Sequence, residues 1–315
     1  MSSFNVSNLF NVSGKVVLVT GGSRGIGKSI ATAFVANGAK VYITSRKAKD
    51  CDETAKELHA LGPGTCIALP ADLQKLSEVE RLVTELSARE TALHVLVNNA
   101  GAAWGDGIDE HPVRSAFRAA QPRADFSRWQ DEAFTKVITL NLQRVFTLTQ
   151  KCLPLLRAAA KQGGRDGLSW NDPARIINIG SIEGLTVANH ETYAYSASKA
   201  GLHHLSRTFA GRLGWEGITS NTIACGAFYT KSVSALLSLS PFSSHQHTVT
   251  AVTLDTAGKY ILKNTPLNRI GKPEDVGGTA VFLASPAASW MNGATLTLDG
   301  GSIVSMTSMR AHAKL

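Results

Sequence analysis

Val16-Val-Leu-Val-Thr-Gly-Gly-Ser-Arg-Gly-Ile-Gly27 runs from an apolar, β-branched stretch through a glycine-rich turn into a helical pattern. Glycines at 21, 25 and 27 permit a tight turn and let the backbone approach a pyrophosphate closely. The helix that follows offers free N–H groups and the positive end of its dipole to the same anion. A glycine triplet alone says little. Set between a hydrophobic strand and a helix in a βαβ pattern, it predicts a dinucleotide site formed by Gly21, Ser23, Arg24, Gly25, Ile26 and Gly27.

Outward from that stretch, β-type runs alternate with helical patterns along the chain. The strands are expected at about 15–20, 40–45, 66–70, 94–98, 174–180, 219–224 and 296–298. Helices are expected from residue 25 and over 48–61, 76–89, 131–160, 193–213 and 273–284. Several strands are nearly continuous apolar runs, as strands covered on both faces should be. The pattern predicts an α/β fold: one Rossmann-type domain over 1–315, a three-layer αβα sandwich around a doubly wound parallel sheet of seven strands. Three stretches interrupt the rhythm: 102–128, a Gly-rich connector at 161–173, and the Ser/Thr/His-rich 227–266. The last is expected to roof a substrate pocket, with Phe228, Tyr229 and Phe242 as apolar contacts and Trp104 as a further wall. Residues 302–315 form a C-terminal tail.

Composition narrows the function classes. With 315 residues, 43% hydrophobic and 18% charged, the chain has material for a sizeable core. No apolar run approaches the ~20 residues that span a bilayer, and the start has neither the cationic nor the apolar segment of a secretory signal. Cys51, Cys66, Cys152 and Cys225 are scattered without a C-x-x-C pair, which argues against a disulfide framework or structural zinc. The net charge of +8 fits acidic small partners such as nucleotide phosphates or an acyl carrier, and equally a basic, solubilising surface. No dense basic run or zinc knuckle points to nucleic acid.

The second strand bears on the choice of cofactor. A site for NAD usually places an acid at that strand's end to accept the ribose 2′-hydroxyl. Here the position is Ser45, and Arg46 and Arg24 offer positive charge to a 2′-phosphate. The expected cofactor is therefore NADP(H), favoured over the alternative that both arginines merely face solvent.

Tyr195-Ser-Ala-Ser-Lys199 places a phenol and an ammonium on one helix face, one turn apart. The proximity is expected to lower the phenol's pKa. Taken alone the pattern arises often by chance; the glycine-rich loop gives it meaning. Tyr193 has alanine four residues on, at 197, and reads as a wall or core aromatic, while His190, His203 and His204 read as packing or surface residues.

Together these stretches resemble the short-chain dehydrogenase/reductase family over nearly the whole chain. Thr20-Gly-x-x-x-Gly-x-Gly27 is similar to its cofactor loop, Asp72-Leu73 to its adenine contact, and Asn98-Asn-Ala-Gly101 to the signature after its fourth strand. The resemblance implies cofactor contacts from Asn99, Ala100, Gly101, Tyr195, Lys199, Gly226, Phe228 and Thr230. It also implies a catalytic set of Asn141, Ser181, Tyr195 and Lys199, in which Tyr195 exchanges the proton and Ser181 donates to the substrate oxygen. Lys199 tunes Tyr195 and holds the nicotinamide ribose, and Asn141 holds a water that links Lys199 to solvent. Cys225 departs from the pattern, standing where the family usually has proline. A further likeness, in 98–105, 173–181 and 193–204, is to 3-oxoacyl-thioester reductases, including the type linked to rhamnolipid biosynthesis.

That likeness implies NADPH-dependent reduction of a 3-oxoacyl thioester on CoA or acyl carrier protein. A secondary-metabolite ketoreductase and a non-catalytic NADP-binding regulator are the alternatives. It also implies a homo-oligomer, dimer or tetramer, through the helices at 131–160 and 193–213. Ala313-Lys314-Leu315 resembles a peroxisomal address, expected to act if the source is eukaryotic; otherwise the expectation is cytoplasmic.

Overall fold

The structure, a computed structural model, describes residues 4–103, 127–187, 191–228 and 265–305, with backbone alone for 127–131. Seven parallel strands form its centre: β1 (Val16–Thr20), β2 (Lys40–Thr44), β3 (Thr65–Ala68), β4 (Val95–Asn98), β7 (Ala174–Ser181), β8 (Ile218–Cys225) and β9 (Thr295–Leu298). Their order is β3-β2-β1-β4-β7-β8-β9, so the sheet reverses direction of growth between β1 and β4. Ligands of doubly wound sheets bind beyond the strand C-termini at such a reversal.

Alternate residues of each strand enter different cores. Val17, Val19, Val41, Ile43, Val95, Val97, Ile177, Ile179 and Ile223 face one side. There they meet Ile30 and Phe34 of α2 (Gly25–Ala36), Leu58 of α3 (Ala48–His59) and Val276 and Ala280 of α8 (Pro273–Ala284). Leu18, Tyr42, Leu96 and Ile176 face the other side. Their partners are Leu82 and Leu86 of α4 (Leu76–Arg89), Leu148 and Leu156 of α6 (Arg144–Gln162) and Phe209 of α7 (Tyr193–Leu213). Burial on both faces explains the unbroken apolar runs of β1, β4 and β7.

The seven strands and their parallel pairing agree with the reading of the sequence. Differences are local. The helix expected over 131–160 is two helices, α5 (Ser127–Ile138) and α6, joined by a π turn at Thr139–Gln143. The 161–173 connector contains a short antiparallel hairpin, β5 (Arg165–Asp166) with β6 (Ser169–Trp170). A single helical turn, α1 (Val6–Leu9), precedes the sheet. No helix among the described residues is long and apolar enough to cross a membrane. Most of 102–128 and 227–266, with Trp104, Tyr229, Thr230 and Phe242, lies outside the described residues, as do His190 and 313–315.

Candidate active site

The glycine-rich loop is shaped by what a side chain would strike. Gly21 has φ +65°, and a Cβ there would lie 2.9 Å from Asn99 Nδ2. A Cβ on Gly27 would lie 2.3 Å from the Gly21 carbonyl oxygen and 2.4 Å from Asn99 Nδ2. Asn99 holds the loop closed by donating from Nδ2 to the carbonyls of Thr20 (2.7 Å) and Gly21 (3.2 Å). Thr20 Oγ1 accepts the peptide N–H groups of both Asn99 and Ala100 at 2.9 Å. The signature after β4 is thus bolted to the turn after β1. The sequence places Asn99 and Ala100 beside the cofactor; the structure adds that Asn99 is also the brace of the loop.

This cradle fits a dinucleotide phosphate. Helix α2 has no acidic residue in its first turn, and Arg24 at its N-cap makes no side-chain cap bond. No acid of the helix's own first turn occupies its positive end, a place suited to a phosphate. Arg24 and Arg46 are exposed and form no ion pair among the described residues, so neither charge is spent inside the protein. Ser45 Oγ donates to the Lys47 carbonyl at 3.3 Å, at the end of β2. Ile26 is half-buried against the first core, and the Ser23 carbonyl accepts from Thr54 Oγ1 at 3.1 Å. Asp72 Oδ1 accepts the Gln74 N–H at 3.2 Å, while the Leu73 side chain is buried in the second core. Asp72 and the local peptide groups are what this turn offers to solvent.

Ser181 is the last residue of β7, and Tyr195 and Lys199 project from the first turns of α7. The structure brings the three together. The Ser181 side chain hydrogen-bonds the phenol of Tyr195, and Ser181 Oγ accepts the Glu183 N–H at 3.2 Å. Lys199 is buried; its Nζ donates to the Ile179 carbonyl at 2.7 Å and lies 5.6 Å from the centroid of the Tyr195 ring.

The electrostatics correct one expectation. Burial pushes the Tyr195 phenol up to about 12; the Ser181 hydrogen bond opposes this, and the Glu183 carboxylate adds to it. The Lys199 ammonium, beside the ring and donating to the Ile179 carbonyl, does not outweigh the desolvation. Lys199 itself is pushed down to about 8 by burial. The pair is a protonated phenol beside a lysine that gives up its proton more readily than usual.

Asn141 occupies the centre of the π turn and is 1% exposed. Its Oδ1 accepts the Ala102 N–H and its Nδ2 donates to the Ala102 carbonyl, both at 2.8 Å. Nδ2 also donates to Ser198 Oγ at 3.0 Å. The side chain therefore staples the segment after β4 to α7, next to Lys199. The π turn supplies the extra residue that rotates Asn141 into this place. Gly101 leaves room for it, since a Cβ there would stand 3.2 Å from Asn141 Oδ1.

Reading the sequence missed a buried polar chain behind these groups. Asn98 Nδ2 donates to Asn178 Oδ1 (2.9 Å) and Thr149 Oγ1 (3.3 Å). Asn178 Nδ2 donates onward to Ser206 Oγ (3.0 Å) and Ser220 Oγ (3.2 Å). Glu183 was missed as well: its Oε2 accepts from Thr192 Oγ1 at 2.5 Å and Ser196 Oγ at 3.2 Å, tying the start of α7 to the end of β7. Small polar residues at strand positions are the available signal, since a Ser or Asn inside an apolar run must find a buried partner.

At the end of β8, Cys225 lies opposite Ser181 in register and is buried, with its thiol pushed up to about 12 by burial. It is an inert thiol. Gly226 approaches Asp299 so closely that a Cβ would lie 2.7 Å from the Asp299 Cβ. Phe228, expected at the cofactor, is 5% exposed and packs its ring on Gly271, where a Cβ would stand 2.5 Å from that ring. Its ring belongs to the first core. It also borders a small cavity with Thr265, Leu267 and Asp299.

A parallel αβα sheet, a glycine cradle at the reversal point and a Ser–Tyr–Lys cluster define an oxidoreductase of the dehydrogenase class. The family model described as short chain dehydrogenase matches residues 15–238, and the chain belongs to that family. It is 37% identical over 292 residues to the rhamnolipids biosynthesis 3-oxoacyl-[acyl-carrier-protein] reductase of Pseudomonas aeruginosa, covering 93% of this chain and 97% of the relative. A solved Pseudomonas aeruginosa RhlG/NADP active-site complex superposes with TM-score 0.77 at 36% identity, over 93% of this chain and 98% of that one. A 7α-hydroxysteroid dehydrogenase solved with NADH and 7-oxo glycochenodeoxycholic acid gives TM-score 0.75 at 29% identity, over 95% and 97%.

Proposed function

We propose that this protein is an NADPH-dependent carbonyl reductase whose substrate is a 3-oxoacyl thioester, reduced to the 3-hydroxyacyl thioester. The observation that carries the reaction class is the junction of Ser181, Tyr195 and Lys199 at the C-terminal end of β7, beside the glycine cradle. The substrate class rests on likeness to the 3-oxoacyl-[acyl-carrier-protein] reductase over nearly the full chain. NADP is favoured over NAD by Ser45 in place of an acid and by Arg24 and Arg46, which form no ion pair among the described residues.

Bound at the cradle, the reduced cofactor supplies a hydride to the carbonyl carbon. The protein's share is the proton and the oxyanion. A phenol pushed up to about 12 is fully protonated at neutral pH, so Tyr195 is held ready as the acid. The Ser181 hydroxyl donates to the carbonyl oxygen, a bond that strengthens as negative charge gathers there. Lys199 stands beside the phenol and places positive charge near the anion that proton transfer leaves. Asn141 fixes the relation of α7 to the segment after β4, and Gly226 leads into the nicotinamide side of the site.

Two further features fit this reading. Phe146 stacks on Phe209 with centroids 6.2 Å apart and is 45% exposed on the outer face of α6 and α7, which suits a homo-oligomer through those helices. The steroid-linked relative favours a second substrate class, a ring ketone. The deciding experiment follows NADPH absorbance with acetoacetyl-CoA, a longer 3-oxoacyl thioester and a panel of cyclic ketones. Preference for the thioesters in kcat/KM supports the proposal. Preference for ring ketones replaces the substrate class, and NADPH binding with no turnover on any carbonyl overturns the enzyme.

A further inference from the structure

His203 lies on α7 one turn beyond Lys199 and is 2% exposed. Its Nε2 accepts the peptide N–H of Ser181 at 3.4 Å. The space it fills is defined by two glycines that flank that serine. A Cβ on Gly180 would lie 2.2 Å from His203 Nε2, and one on Gly184 would lie 2.9 Å from His203 Cε1. The imidazole is thus wedged between α7 and the end of β7, directly behind the proposed oxyanion donor.

An Nε2 that accepts carries no hydrogen, so the ring proton sits on Nδ1. Burial holds the ring neutral by pushing it down to about 4, and the charges of Lys199 and Arg207 act in the same direction. Nδ1 is buried with no hydrogen-bond partner among the described residues. Such a group costs stability, whereas an apolar side chain of equal size would fill the space without that cost but would leave the Ser181 N–H without this acceptor. Ser181 is meanwhile held at its other end, where Oγ accepts the Glu183 N–H. Pinned at its peptide nitrogen and at one lone pair, the serine has its hydroxyl hydrogen left to point toward Tyr195 and the substrate.

We propose that His203 is the positioning residue of Ser181, its Nε2 fixing the serine peptide so that the hydroxyl is aimed at the substrate carbonyl. The inference rests on the carbonyl-reductase reading for its kinetic consequence but not for its geometry. His203→Leu removes the acceptor while keeping apolar bulk. His203→Gln keeps an acceptor, Oε1, near the place of Nε2.

The test measures kcat and KM for acetoacetyl-CoA, NADPH affinity by fluorescence titration, and the histidine nitrogen resonances of the wild-type protein. His203→Leu is expected to lose about ten- to a hundredfold in kcat. Its NADPH Kd stays within about twofold of wild type, and His203→Gln recovers most of the lost rate. The wild-type spectrum should show Nδ1 protonated and Nε2 bare. A His203→Leu protein with wild-type kcat, an equal loss in Leu and Gln variants, or a proton on Nε2 each overturns the proposal. If His203→Leu does not fold, the Gln variant's rate and the resonances decide. A wild-type protein that reduces no carbonyl defeats the reductase reading, and the resonances then decide the Ser181–His203 hydrogen bond on their own.

Discussion

The two ends of this site are built in opposite ways. The nucleotide end, from Thr20 to Gly27, is made of backbone: glycines removed every obstacle, and Asn99 braces the peptide groups that remain. The chemical end, around Ser181, is made of buried side chains that hold one another, with Asn141, Ser198, Glu183 and His203 arranged behind three reacting groups. A backbone site tolerates no added atom and here leans on one distant side chain, Asn99. A side-chain site depends on partners brought from several elements, here the π turn, the turn after β7 and α7. Binding and rate should therefore fail separately.

Mutations at two glycines can break that comparison. Gly27→Ala places a methyl against the Gly21 carbonyl, which is backbone and cannot swing aside. It should cost about 1–3 kcal/mol of stability and weaken NADPH binding strongly, read by unfolding and fluorescence titration. Gly180→Ala drives its methyl into the wedged His203 ring and toward Thr222 Cγ2, so the imidazole must be displaced, with some loss of stability. It should lower kcat about tenfold while leaving NADPH affinity near wild type. If both substitutions act mainly on affinity, the division between the two ends is wrong.

A smaller effect concerns acid. His203 is held at about 4 in the fold against 6.5 in the unfolded chain. Between those values the unfolded chain binds more protons, so this group makes stability rise with pH from 4 to 6.5 and level off above. The contribution is about 3 kcal/mol at most, and His203→Gln should flatten that part of a stability profile measured by denaturant unfolding.

The same division explains what the sequence made legible. The nucleotide end could be read because its requirement is local: Gly21, Gly25 and Gly27 stand within one turn, next to an apolar strand. The strands were legible because burial on both faces leaves unbroken apolar runs. The catalytic set could be named from Tyr195, Lys199 and Ser181, yet the reason for its geometry could not. His203 looked like a packing residue because its meaning depends on Gly180 and Gly184, which are distant in sequence. Asn141 sits in a π turn, and an apolar pattern with helical period does not announce one extra residue. The packing of the Phe228 ring on Gly271 was not legible either, since an aromatic beside a glycine motif reads the same at a pocket or in a core.

The most direct test of the account is Tyr195→Phe, examined for NADPH binding and for single-turnover reduction of acetoacetyl-CoA. If Tyr195 delivers the proton at the chemical end, NADPH binding stays readily measurable and reduction falls at least about a hundredfold. Reduction at a rate near wild type, with binding intact, would contradict the assignment of the proton donor.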